Sequence, residues 1–182
     1  MPQAPTSSLG VWFAWADAAE YRICRRLNHG AAFPLARRTL QLASRLGDGL
    51  IWYLLIIALP CLYGRDALRP AVVMTLTGAL GVVVYRVLKR AFVRERPFIT
   101  HSAIDLAMPP LDRYSFPSGH TLHAASFALQ ASMHFPQLAW VLVPLALSIA
   151  ASRIVLGLHY PTDVLAGAVL GAALGALGLS LS

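Results

Sequence analysis

Long stretches with almost no charged side chains limit what this chain of 182 residues can fold into. A helix rises about 1.5 Å per residue, so about 20 apolar residues cross the roughly 30 Å hydrocarbon core of a bilayer. Only 13% of the residues are charged, whereas a soluble domain carries about 25%. The sequence therefore predicts an all-α integral membrane helical bundle, with spans near residues 48–63, 70–88, 118–135, 137–157 and 162–181.

The N-terminal segment has a different pattern. Residues 9–28 combine Trp12, Phe13, Asp17 and Glu20 with three arginines, a mixture that is too charged to span a bilayer but is typical of an amphipathic helix in its interface. Residues 35–46 predict a second, shorter helix of this kind. We therefore expect residues 1–46 to be interfacial and residues 47–182 to form a transmembrane domain of five spans, or six if the N-terminal part contributes one.

The chain is basic, with a net charge of +7 and an isoelectric point near 10.1. In a soluble protein this charge would suggest nucleic acid as a partner. In a membrane protein, membrane lipids with anionic headgroups and a phosphorylated lipid substrate are the expected partners, and we expect no nucleic acid. Cys24 and Cys61 lie far apart and form no CxxC motif, so they predict neither a metal site nor a disulfide.

The last predicted span contains Gly167, Gly171 and Gly175 at a spacing of four. Small residues one turn apart allow helices to approach closely in lipid. We expect this stripe to pack against another helix; the alternative is a flexible glycine-rich tail.

Three polar clusters lie where apolar stretches end. They are Lys89 to Arg96-Pro97, then Pro117-Ser118-Gly119-His120, then Ser152-Arg153 with His159 and Asp163. Counting the membrane crossings between them brings all three to the same face of the bilayer. Ionisable groups at the mouth of a transmembrane segment are functional candidates by default.

Each cluster also has a simpler explanation. Lys89 and Arg96 are seven residues apart and point the same way if the helix continues beyond the bilayer, but two cations there can also extend to headgroups. Ser118 and Gly119 at a helix start form an anion site, although Ser118 is also a good N-cap.

In the third cluster, Asp163 can reach back to a ring nitrogen of His159, or can simply complement the helix dipole. Together the clusters contain a lysine, hydrogen-bond donors that can bind phosphate, and two histidines, one of which has a carboxylate partner. This set fits phosphoryl transfer to a histidine nucleophile, and we expect neither a metal nor a cofactor.

With these motifs in view, the sequence resembles the type-2 phosphatidic acid phosphatase superfamily. The signature K-x6-RP, PSGH and SR-x5-H-x3-D is matched without departure, and the resemblance covers roughly residues 45–180. The resemblance implies that His159 attacks phosphorus, that Asp163 orients it and that His120 protonates the leaving group and then activates water. It also implies a set of phosphate-binding groups: Lys89, Arg96, Ser118, Gly119 and Arg153.

Several other polar residues lie close to these motifs. We expect Asp48 to be the N-cap of the first span and His123 to be a packing residue. Arg90, Arg94 and Arg113 either attract an anionic substrate or form a solvated or headgroup-bound face. We expect the loop over residues 90–116 to cover or gate the site.

The substrate expected from the resemblance is undecaprenyl or another polyprenyl diphosphate. Phosphatidylglycerophosphate or phosphatidic acid is the near alternative, and a vanadate-dependent haloperoxidase or a lipid binder without activity is more remote. We expect a multi-pass protein of the bacterial inner membrane. Without the three proposed phosphate ligands Lys89, Arg96 and Arg153, the face that holds the site carries seven basic residues and the opposite face carries two, which favours a cytoplasmic site. Relatives that act on the outer leaflet favour the periplasm instead, and this is our expectation.

Overall fold

The computed structural model describes residues 8–182, with side chains from residue 15 onward. Eight α-helices lie in this range, without strands: α1 (Ser8–Asn28), α2 (Pro34–Leu46), α3 (Leu50–Tyr63), α4 (Leu68–Phe92), α5 (Pro97–Thr100), α6 (Gly119–His134), α7 (Ala139–Val155) and α8 (Pro161–Leu181). The predicted all-α fold is confirmed.

Three stretches are long and apolar enough to cross a membrane: Leu50–Thr100, Pro136–Val155 and Pro161–Leu181. The first contains α3 and α4, which are joined by a turn at Gly64–Ala67 and pack against each other. The remaining predicted span is α6, whose 16 residues extend only about 24 Å. This short helix lies at the centre of the bundle, in contact with α4, α7 and α8.

The close packing of α6 on α8 comes from the glycine stripe. A Cβ on Gly171 would overlap the carbonyl oxygen of Leu122, and one on Gly167 would lie 2.5 Å from the carbonyl oxygen of Ser118. The two backbones can be this close only because glycine has no side chain. The stripe is therefore a packing surface, and it holds the start of α6 against the start of α8.

The end of α4 decides whether Lys89 and Arg96 lie on one helix face. The helix does not continue to Arg96 but stops at Phe92, because Val93 adopts a left-handed conformation with φ 45° and ψ 38°. This conformation is strained for a β-branched residue. Arg96 is extended, as expected before a proline, and Pro97 opens α5. Lys89 and Arg96 therefore converge through a bend in the chain, not along one helix face.

The N-terminal helices pack on the site end of the bundle. Helix α2 packs along α7, whereas α1 contacts α5, α7 and α8. The expectation that residues 1–46 lie in the interface remains a prediction, and its residues 1–7 and the side chains of Trp12 and Phe13 lie outside the described part of the chain. Asp17 and Glu20 of α1 form ion pairs with Arg94.

Candidate active site

A cavity of about 890 Å³ lies between α3, α4, the start of α6 and the loop before α6. Six of the eight residues predicted from the three motifs line it: Lys89, Arg96, Gly119, His120, Arg153 and His159. The chain thus brings together groups that are up to 70 positions apart in sequence. The other two, Ser118 and Asp163, are fully buried behind this wall.

Ser118 holds the first turn of α6. Its Oγ accepts a 3.5 Å hydrogen bond from the amide of Thr121 and lies 3.0 Å from the hydroxyl oxygen of Thr121. Its own amide donates to the carbonyl of Asp163 at 3.0 Å, which ties the second motif to the third. The side chain therefore acts as an N-cap here, and its role as a phosphate ligand stays a prediction.

His159 lies in the short segment between α7 and α8 and is 2% exposed. Nη1 of Arg96 lies 3.3 Å from Nε2 of His159. Because a guanidinium can only donate, Nε2 is the unprotonated nitrogen and Nδ1 carries the hydrogen. Burial lowers the pKa of His159 well below its ordinary value, and the charges of Arg96, Arg153 and Lys89 lower it further. The imidazole is therefore neutral and nucleophilic at neutral pH.

Asp163 faces the other ring nitrogen. Its Oδ2 is 3.6 Å from Nδ1 of His159, which is an ion-pair distance but too long for a hydrogen bond. Oδ2 accepts instead from the amide of Tyr160 at 2.8 Å. Nδ1 is buried without a hydrogen-bond partner among the described residues. The carboxylate can thus stabilise positive charge on the ring without holding it through a direct hydrogen bond.

Arg94 supports Asp163 from behind. It is 2% exposed, and its Nη1 donates to Oδ1 of Asp163 at 2.6 Å. Its Nε and Nη2 donate to Oδ1 of Asp17 at 2.9 and 2.5 Å. The sequence suggested a substrate-attracting or solvated arginine at this position. The structure instead makes it the link between α1 and the carboxylate behind His159.

Asp112 forms ion pairs with both cations of the first motif. Its Oδ1 accepts from Nζ of Lys89 at 2.9 Å and from Nη2 of Arg96 at 2.6 Å. Partial burial alone would raise the pKa of Asp112, but Lys89 and Arg96 more than offset this and lower it below its ordinary value. An acidic side chain from the loop therefore lies on two groups that are predicted to bind phosphate.

Asp48 does not cap the first span. The residue that precedes α3 in the N-cap position is Gly49. Asp48 turns the other way, and its Oδ1 lies 2.6 Å from Nε2 of His120. The capping prediction was wrong because the two glycines beside Asp48 let the chain turn its side chain toward α6.

Arg153 reaches the cavity from the end of α7. It is 2% exposed, and its Nη1 donates to the hydroxyl of Ser44 in α2. Its Nε is buried and has no hydrogen-bond partner among the described residues. The guanidinium is therefore held in place through Nη1, and its Nε remains available as a hydrogen-bond donor.

His123 is mainly a packing residue, as predicted. Its two ring nitrogens lie 3.0 Å from the carbonyl of Gly119 and 3.2 Å from that of Gly78, and its ring stacks on Phe127. It nevertheless forms part of the cavity wall.

The cavity continues from the charged groups into an apolar groove between α3 and α4. Its wall there includes Trp52, Tyr53, Ile56, Ile57 and Val82. Three further arginines, which are exposed, also line the cavity: Arg86, Arg90 and Arg113. The described residues contain no group of three or more His, Cys, Asp or Glu side chains that could hold a metal ion.

A model of the PAP2 superfamily matches residues 66–182. The undecaprenyl-diphosphatase BcrC of Bacillus subtilis is 32% identical over 129 residues, which cover 70% of this chain and 66% of that protein. An undecaprenyl-diphosphatase of Sulfolobus acidocaldarius is 29% identical over 129 residues, or 70% of this chain and 62% of its own length. The chain thus spans slightly less than two thirds of these curated relatives.

Two solved structures share the architecture. LpxE of Aquifex aeolicus superposes with a TM-score of 0.78 at 29% identity, covering 89% of this chain and 95% of that one. A PAP2 type phosphatidylglycerolphosphate phosphatase of Bacillus subtilis gives a TM-score of 0.68 at 25% identity, with 95% and 93% covered. These neighbours, together with the apolar stretches, make this a membrane protein.

Proposed function

The chain belongs to the PAP2 superfamily, and on that premise we propose that it is a membrane phosphatase that hydrolyses a lipid phosphate or diphosphate through a phosphohistidine on His159. The observation that carries this proposal is the single cavity in which His159, His120 and three buried cations meet beside an apolar groove. Such a cavity suits a molecule with an anionic head and an apolar tail.

In the first step, Nε2 of His159 attacks phosphorus. A P–N bond forms, and the bond between phosphorus and the leaving oxygen breaks. His120 gives its proton to that oxygen, a form of acid catalysis that contributes roughly 10²–10⁴ in rate. Asp163, 3.6 Å from Nδ1, stabilises the positive charge that develops on the His159 ring.

In the second step, water attacks the phosphohistidine. His120, now neutral, takes the proton of the water as the P–N bond breaks and inorganic phosphate leaves. Both histidines return to their starting states. The net reaction consumes one water and needs no other reactant.

Lys89, Arg96, Arg153 and the Gly119 amide would hold the phosphoryl oxygens. They lie at the cavity wall, and the amide belongs to the first turn of a helix, where backbone donors point outward. Fixed donors of this kind contribute about 10²–10³ each. Ser118 would join them only if its hydroxyl turned from its contact with Thr121.

For the substrate, we propose a polyprenyl diphosphate. Arg86, Arg90 and Arg113 line the same cavity and are exposed, whereas Lys89, Arg96 and Arg153 are buried, so the exposed arginines are available to a second phosphoryl group. The groove between α3 and α4 offers an apolar path for a hydrocarbon chain. The two undecaprenyl-diphosphatases among the relatives support the same choice.

The test is phosphate release by the purified protein in detergent. The panel comprises undecaprenyl diphosphate, farnesyl diphosphate, phosphatidylglycerophosphate and phosphatidic acid, and the His159→Ala variant is the control. We expect the diphosphates to give the highest kcat/KM and the variant to be inactive. Preference for a monophosphate would overturn the substrate, and binding without phosphate release would overturn the activity. Vanadate should inhibit; halide oxidation with vanadate would instead indicate a haloperoxidase.

We further propose that the protein resides in the bacterial inner membrane with its site toward the periplasm. Of the seven basic residues that favoured a cytoplasmic site face, three line the cavity: Arg86, Arg90 and Arg113. Arg94, which was also counted, forms ion pairs with Asp17 and Asp163. The site therefore accounts for these residues without reference to topology. Accessibility labelling of cysteines placed in the 98–112 loop and at residues 64–67 tests the orientation.

A further inference from the structure

The turn between α2 and α3 brings a carboxylate to one of the two histidines. Oδ1 of Asp48 lies 2.6 Å from Nε2 of His120, and the side chains are 33% and 12% exposed. Asp48 lies outside the residues that the family model matches, 66–182, and outside the three motifs. Its pairing is therefore a property of this chain that the motifs do not imply.

Two glycines make the pairing possible. A Cβ on Gly47 would lie 2.9 Å from Cγ2 of Ile149 and 3.1 Å from Cδ2 of His120, so the turn passes directly against the imidazole. Gly49 has a φ of 128°, which side-chain-bearing residues rarely adopt. The backbone is thus shaped to hold Asp48 beside the ring.

The pairing defines which nitrogen of His120 is available for proton transfer. A carboxylate can only accept a hydrogen bond, so Nε2 carries a hydrogen and donates it to Asp48. No hydrogen bond joins Nδ1 to any of the described residues, and His120 is part of the cavity wall. Nδ1 is therefore the nitrogen that can exchange a proton with a molecule in the cavity.

We propose that Asp48 is a positioning residue of the phosphatase, which fixes the ring of His120 through Nε2 and stabilises its protonated form, so that Nδ1 serves as acid and then as base. This inference rests on the proposed function. Asp48 itself touches neither the substrate nor the attacking water.

The charges around His120 give a carboxylate partner a role. Besides Asp48 and Asp112, every charged group that lines the cavity is a cation: Arg86, Lys89, Arg90, Arg96, Arg113 and Arg153. The other two imidazoles in the wall are His123 and His159. Asp112 is already paired with Lys89 and Arg96. Burial of the ring, and after it the nearby cations, oppose a positive charge on His120, whereas Asp48 is in direct contact with the ring and favours it.

Proton transfer then balances over the two steps. Doubly protonated His120 gives the Nδ1 proton to the leaving oxygen as the P–O bond breaks. Neutral His120 receives a proton from water at Nδ1 as the new P–O bond forms and the P–N bond breaks. The hydrogen bond from Nε2 to Asp48 persists throughout, and the ring keeps its orientation.

The experiment compares Asp48→Asn with the wild type by measuring kcat and KM for farnesyl diphosphate across pH in detergent. Asp66→Asn, at the exposed turn beyond the other end of α3, is the matched control. We expect Asp48→Asn to lower kcat by roughly 10- to 100-fold, with KM within about twofold of wild type. The alkaline limb of the pH profile of kcat should move to lower pH in this variant, because the neutral amide no longer stabilises the imidazolium.

A double-mutant cycle separates this role from a structural one. In a His120→Asn background, Asp48→Asn should cause no further loss, because Asp48 acts only through that ring. Additive losses, or an Asp48→Asn variant with the rate and pH profile of Asp66→Asn, would overturn the inference. If Asp48→Asn does not fold, Asp48→Glu serves instead: its carboxylate should keep the alkaline limb in place while the displaced ring lowers kcat, and an unchanged kcat counts against the proposal.

The failure of the proposed function would look different. If the wild type releases no phosphate from any lipid of the panel, the activity itself is wrong. If the wild type is active, His120→Asn keeps only a small residual rate and Asp48→Asn is unaffected, the phosphatase stands and only the role of Asp48 falls.

Discussion

Arg94 donates a 2.6 Å hydrogen bond to Asp163, and both side chains are almost fully buried. The carboxylate that faces His159 is thereby fixed by a cation, and that cation is in turn held by α1 through Asp17. The N-terminal helix thus contributes to the geometry of the site although it lies outside the family match.

We predict that Arg94→Lys lowers both activity and stability. The ammonium group of lysine cannot form the forked contacts that join Asp17 to Asp163, and leaving one of these carboxylates without its cation costs up to about 3–5 kcal/mol. The melting temperature and kcat in detergent should both fall, with KM changed less than kcat. Arg65→Lys, in the exposed turn before α4, is the control. A variant with wild-type kcat would show that Asp163 does not depend on Arg94.

Asp112→Asn should strengthen the binding of anions. The carboxylate now lies on Lys89 and Arg96, and an incoming phosphoryl group must compete with it. At about 4 Å and an effective dielectric of 20, a unit charge pair interacts by roughly 4 kcal/mol. Because the loop is partly exposed, we expect a smaller net effect, about 5- to 30-fold tighter inhibition by vanadate.

The control for that measurement is Asp105→Asn, an exposed carboxylate in the same loop. Weaker vanadate inhibition in Asp112→Asn would mean that Asp112 orients the two cations for phosphate and does not compete with it.

The residues that the sequence predicted correctly to meet are those in short motifs. Lys89, His120 and His159 belong to local patterns whose spacing and membrane boundaries can be read directly. The three carboxylate contacts to the site were missed for a common reason. Asp48 is 72 residues from His120, Asp163 is 69 from Arg94, and Asp112 is 23 from Lys89, so only the folded chain brings them together.

Helix boundaries show the same limit. The motif spacing allowed one helix from Lys89 to Arg96, but a left-handed Val93 ends α4 earlier. Nothing in the local sequence, which lacks glycine or asparagine there, indicates this conformation. By contrast, the glycine stripe of α8 was readable, because periodic small residues have one simple physical use in lipid.

The protonation of His159 gives a pH prediction for stability. Its pKa in the folded protein is lowered, chiefly by burial and then by Arg96, from an ordinary value near 6.5. Below about pH 6.5 the unfolded chain therefore binds a proton that the folded protein excludes, and stability falls as the pH decreases. The slope from this group is about 1.4 kcal/mol per pH unit.

His159→Gln should remove that part of the slope. We expect the melting temperature of the wild type in detergent to drop more steeply between pH 6.5 and 5 than that of the variant. The same change at the exposed His29 is the control and should leave the wild-type slope intact. Equal slopes for wild type and His159→Gln would contradict a lowered pKa at this site.

Gly171→Ala tests whether the contact between α6 and α8 supports the site as well as the fold. The added Cβ would overlap the backbone carbonyl of Leu122, and because backbone cannot turn aside as a side chain can, α8 must shift outward. Overpacking of this kind costs about 1–3 kcal/mol. The shift also moves Asp163, whose carbonyl accepts the amide of Ser118, so kcat should fall together with the melting temperature. Gly30→Ala, whose Cβ would meet only Val155 at an ordinary 3.4 Å, should change neither. Loss of stability with full activity would show that the first turns of α6 and α8 keep their arrangement independently of the glycine contact below them.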